Sequence, residues 1–97
     1  MDRSFATQKC RRAALKMGKD LRYLRVNQLR IKQDEMALRV GVSRKTYSKM
    51  ENGDWQTSLS GWLQAAAIVH KLMNVEKAFE PATLFEVVQV NNVRVRK

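Results

Sequence analysis

The stretch that most constrains the fold runs from Gln33 to Gly53, QDEMALRVGVSRKTYSKMENG. Gln33 to Val40 reads as a short helix. Met36, Ala37 and Val40 fall on one face, and Asp34 and Glu35 occupy the first turn, where acids suit the helix dipole. Ala37 is small, and smallness lets two helices cross closely. Gly41 supplies the positive φ of a sharp turn, and Val42 fills the space beneath it. Ser43 is a good N-cap for a second short helix that ends near Asn52, where Asn52-Gly53-Asp54 is a strong turn signal. Tyr47 and Met50, three apart, face inward. Arg44, Lys45, Thr46 and Lys49 are left for the outer side, and nothing in the hydrophobic pattern requires cations there.

Two such helices at an angle make a helix-turn-helix, in which the second helix enters the major groove of DNA. The charge distribution agrees with that use. The formal net charge is +10 over 97 residues. Residues 1–50 hold 14 Lys/Arg against 4 Asp/Glu, whereas residues 51–97 hold 5 of each, so the whole excess lies on the half that carries the motif. That is the footprint of a polyanion binder. Other classes are disfavoured. Cys10 and His70 are each the sole residue of their type, which leaves no disulfide and no metal site. No Gly-rich phosphate loop, nucleophile triad or carboxylate pair is present, so neither an enzyme nor a cofactor is expected. No apolar run approaches the ~18 residues of a membrane span, and residues 1–16 lack the apolar core of a secretory signal, so a cytoplasmic protein is expected.

The remaining chain supports this unit. A helix is expected to run to about Leu29, with an apolar stripe of Cys10, Ala14, Met17, Leu21 and Leu24. Gly18 within it either permits a close helix contact or marks a break between a basic arm and the domain. Arg12, Lys16 and Lys19 line one face, and Arg22 and Arg25 form a further pair. Ile31 should plug the core, and Lys32 stands where a capping Ser, Thr or Asn is commoner. After Trp55, which suits core-edge packing, a DNA contact or a partner contact, Thr57 or Ser58 caps a fourth helix to about Met73. Its inward face would be Leu59, Trp62, Leu63, Ala66, Val69 and Leu72 or Met73. Its AAAIVHKL stretch is expected at the centre of the core, and His70 at the surface or core edge. A short helix is expected over Val75–Phe79. Residues 1–80 thus form one domain and 81–97 a tail. From Phe85 the pattern alternates. It reads as a hairpin turning at Asn91-Asn92, as a strand pairing with a second subunit or another protein, or as a disordered basic tail. Val88, Val90, Val93 and Val95 would make the contact in the first two.

Met17-Gly18, Leu24-Arg25, Gln33 to Ala37, Gly41 to Arg44, Ser48 and Glu51-Asn52-Gly53 together resemble the Xre-type helix-turn-helix family, which includes the phage repressor and Cro proteins. The resemblance covers Met17 to Leu72. It implies an all-α fold, a compact five-helix phage-repressor-like bundle, to which the reading above adds a C-terminal β-strand or hairpin. It implies a homodimer on a palindromic operator in double-stranded DNA. It implies that Gln33, Ser43 and Asn52 contact the DNA backbone, and that Arg44, Lys45 and Lys49 occupy base-reading positions. A narrower likeness rests on Gly41 to Thr46, Glu51 to Asp54, Ser58-Leu59 and the tail ending Arg94 to Lys97. It resembles the antitoxin partners of HipA-type kinase toxins, which repress their own operon and bind the toxin. The alternative is a stand-alone or prophage transcription regulator. On either reading Arg44, Lys45 and Lys49 suit guanine, Thr46 a thymine methyl or a phosphate, and Arg25 and Lys32 join the phosphate contacts.

Overall fold

The computed structural model describes residues 3–81, and every regular element in that range is helical. Helix α1 spans Arg3–Tyr23 and runs on into a π-helical turn over Leu24–Leu29. The turn ends where Arg30 adopts a left-handed φ of 57°, and the Arg25 carbonyl accepts from both Arg30 N–H (2.7 Å) and Ile31 N–H (3.3 Å). Helix α2 spans Gln33–Val40 and closes on Gly41, whose φ of 88° and N–H to Ala37 O form a left-handed cap. Helix α3 spans Arg44–Glu51, and its N-cap Ser43 accepts from Thr46 N–H at 3.0 Å. Helices α4, Leu59–Ile68, and α5, Leu72–Glu76, complete the described elements.

The centre of the core is made by the two eight-residue amphipathic helices. Met36 of α2 and Tyr47 and Met50 of α3 are the largest fully buried side chains. Ala37, Val40, Leu21, Ala65 and Val69 join them, with Leu24, Leu29, Ile31, Val42, Trp62 and Ile68 packed around the edge. The expectation that α4 would be central is therefore corrected. Its buried members are Gly61 and Ala65, while Leu59 is 70% exposed. Small residues give α4 a flat face, so it covers the core rather than filling it. It also ends early: Val69 and His70 leave the helix, His70 at a left-handed φ of 62°, and α5 starts afresh three residues before the expected short helix.

Helix α1 meets the core along a narrow strip of Ala14, Gly18 and Leu21. Cys10 and Met17, expected on that strip, are exposed. The reason lies at Gly18, where a Cβ would stand 2.5 Å from Met50 O and 2.6 Å from Glu51 O. The crossing is backbone against backbone at the end of α3, so Gly18 serves the close contact and the helix runs through it unbroken. The expected fold class, a compact five-helix bundle with a C-terminal strand or hairpin, is also corrected. The described residues contain five α-helices and no strand, and a long first helix extends past the core. Residues 85–97, with Val88, Val90, Val93 and Val95, lie outside the described residues.

Candidate nucleic-acid interface

The inward and outward faces of α3 divide cleanly. Tyr47, Met50 and Glu51 are buried, Arg44, Lys45 and Lys49 are exposed, and Thr46 is half-buried. Ser43 holds the first turn by two contacts, the cap to Thr46 N–H and a hydroxyl bond to Thr46 Oγ1 at 3.1 Å. The Ser43 side chain is therefore occupied within the protein. Arg44 Nε lies 3.0 Å from Asp34 Oδ1, an exposed ion pair that links the first turn of α3 to the first turn of α2.

Behind this face lies a buried polar hub. Glu51 accepts from Arg25 Nε at 2.6 Å, Arg25 Nη2 at 3.2 Å, Gln33 Nε2 at 2.9 Å and the Tyr47 hydroxyl. Arg25 Nη1 donates to Ile31 O at 2.9 Å, so each guanidinium nitrogen has an acceptor. Arg25 and Glu51 are only 8% and 7% exposed. Burial alone would raise the Glu51 carboxyl, but the hydrogen bonds from Arg25, Tyr47 and Gln33 outweigh it and hold the group below its ordinary range. The bond to Glu51 raises Arg25, and burial, with Glu51 second, pushes the Tyr47 phenol up. One ionised carboxylate on α3 thus ties together the end of the α1 region, the start of α2 and α3 itself. No buried side-chain polar atom among the described residues lacks a partner.

Over the hub opens a shallow cleft lined by Arg22, Lys32, Gln33, Arg44 and Asn52, with Arg25 and Glu51 beneath. Its rim carries three exposed cations, Arg22, Lys32 and Arg44. It sits at the N-terminus of α2, where backbone N–H groups have no helical acceptor and the dipole favours an anion. Lys32 is the N-cap residue and makes no side-chain capping bond, which leaves those donors to an incoming group. Of the residues expected at phosphate, Lys32, Gln33 and Asn52 come together here. Ser43 stands apart at the start of α3, and Arg25 is drawn below the surface into the hub. Arg22, one of the α1 basics that could reach phosphate, lines the cleft with Lys32, Gln33 and Asn52.

Residues 21–61 match the model of the helix-turn-helix family. The matched segment runs from Leu21 to Gly61 and contains the hub, the cleft and all of α3. The match covers less than half of the chain and supports a DNA-binding transcription regulator through this segment. No curated protein and no solved structure matches the chain. Among the described residues no helix is long and apolar enough to cross a membrane.

Proposed function

We propose that the protein is a sequence-specific transcriptional repressor that reads DNA with the outer face of α3. The observation that carries this is the adjacency of two surfaces. Arg44, Lys45, Thr46 and Lys49 project from one short helix, and the phosphate-suited cleft of Lys32, Gln33 and Asn52 opens at its side. A phosphate held in the cleft would set α3 against the groove. Arg44, held at Nε by Asp34, would keep its two terminal nitrogens for guanine O6 and N7. One unit of this kind reads only a few base pairs, so we assign the working form to a homodimer on a palindromic operator.

The test is footprinting on the promoter region of the protein's own gene. Two protected half-sites about 34 Å apart are expected. Arg44→Ala should cost on the order of 1–3 kcal/mol on that site and relax one base position. Equal loss on operator and scrambled DNA would remove the base-reading role of Arg44. A second reading, an autoregulating antitoxin of a HipA-type kinase toxin, is favoured by the Gly41 to Thr46 and Glu51 to Asp54 motifs described above. A kinase-like neighbouring gene whose product is retained by this protein would select it over the stand-alone regulator.

A further inference from the structure

Helix α1 is longer than the fold needs. Its 21 residues span about 31 Å, against about 12 Å for the eight residues of α2 or α3. Residues 8–13 are all exposed, so its first half extends past the core. The overhang is held in place: the Arg11 guanidinium lies over the Trp55 ring at 5.8 Å, and Leu15 lies against Gly53. Both anchors belong to the turn that follows α3.

We propose that the face of α1 from Arg12 to Arg22 binds the phosphate backbone of DNA flanking the segment read by α3. The inference rests on the DNA-binding reading above and adds a second surface to it. Arg12, Leu15, Lys19 and Arg22 follow one another at steps of three, four and three, which sets them on one side of the helix. Arg22 borders the cleft beside Arg44 and Asn52, and Leu15 touches the turn after α3, so this side adjoins the α3 interface. Arg12, Lys19 and Arg22 are exposed, and none has an ion-pair partner among the described residues. Lys16, which neighbours Arg12 and Lys19 on the helix, is paired with Asp20 at 2.8 Å, so it is left out of the proposed set. From Arg12 to Arg22 the helix rises about 15 Å, several phosphate steps of one strand.

The test is the salt dependence of binding to a duplex of mixed sequence, about 30 base pairs long, which leaves room on both sides of the segment that α3 covers. The full chain is compared with two charge-matched triple variants. One is Arg12→Gln, Lys19→Gln, Arg22→Gln on the proposed face. The other is Arg39→Gln, Lys71→Gln, Lys77→Gln, all off α1. Removing one cation from a phosphate lowers the slope of log K against log salt by about 0.9. The first variant should therefore have a slope shallower by about 2.7 per protomer. Between about 50 and 200 mM salt the unmodified chain should lose about 40-fold more affinity than that variant does. The second variant should keep the original slope. An unchanged slope in the first variant, or an equal fall in both, would overturn the proposal while leaving DNA binding intact. Absence of salt-dependent binding by the unmodified chain would instead overturn the DNA-binding reading on which it rests.

Discussion

Glu51→Gln is the most informative perturbation of the fold. The carboxylate accepts four hydrogen bonds, three of them from Arg25 and Gln33 at 2.6, 3.2 and 2.9 Å and the fourth from Tyr47. Treating each as an independent charge-assisted bond of about 1.5–3 kcal/mol would approach or exceed the whole stability of a small domain, about 5–15 kcal/mol. The four share one charge, so the relevant quantity is the cost of breaking a buried ion pair from one side, about 3–5 kcal/mol. Glutamine keeps the shape but leaves the Arg25 guanidinium buried without a counter-charge, and it turns an N–H₂ toward another donor. Urea unfolding followed by circular dichroism should show a midpoint about 2 M lower or more, at an unchanged slope of about 1.5 kcal/mol per molar. The triple variant Arg25→Met, Glu51→Leu, Tyr47→Phe removes the buried polar groups together, and it should recover most of the loss. The half-buried Gln33 amide can then turn to water. A Glu51→Gln protein within about 1 kcal/mol of the parent would refute the hub as a source of stability.

The same hub sets the pH profile. Glu51 is held below its ordinary range, so its contribution is complete above about pH 4.3 and lost as the pH falls through the lower native value. Tyr47 is pushed up by burial and Glu51, so its contribution is complete below about pH 10 and lost as the pH rises beyond that. Unfolding free energy measured across pH should show a plateau between these limits, and Tyr47→Phe should flatten the alkaline fall while keeping the acid one. Gly18→Ala would gain about 1 kcal/mol in helix propensity, but it forces a Cβ to 2.5 Å from a backbone carbonyl. A net loss of about 1–2 kcal/mol is expected from such overpacking, seen as a lower thermal midpoint, and an unchanged midpoint would refute the close-crossing role.

The two short helices were legible because everything that defines them is local. The Gly41 turn, the Ser43 cap, and the inward Met36, Ala37, Val40, Tyr47 and Met50 all act within a few residues of one another. The outward cations of α3 were legible for the same reason, as residues left over once the apolar face was assigned. Glu51 was not legible as a hub. It is 26 residues from Arg25 and 18 from Gln33, and helical periodicity carries no signal of pairing across that separation. Charge alone therefore places Arg25 at the surface, where the structure buries it. The misplacement of α4 has a different origin, since apolar composition measures burial poorly where alanines can shield a core without entering it. The stripe through Cys10 and Met17 was sound as a helix period, but nothing in it showed that the core ends before α1 does.

The partition of α3 has a consequence for how such a protein diversifies. Tyr47, Met50 and Glu51 carry its obligations to the fold, while Arg44, Lys45, Thr46 and Lys49 share none of the Glu51 bonds. Lys45 and Lys49 are exposed and can be exchanged with little effect on the melting temperature, whereas Thr46 bonds the Ser43 cap and Arg44 pairs with Asp34. A library randomised at Lys45, Lys49 and the exposed Arg44 should therefore consist mostly of folded proteins, and under the proposed DNA-reading role it is where new operator preferences would be sought.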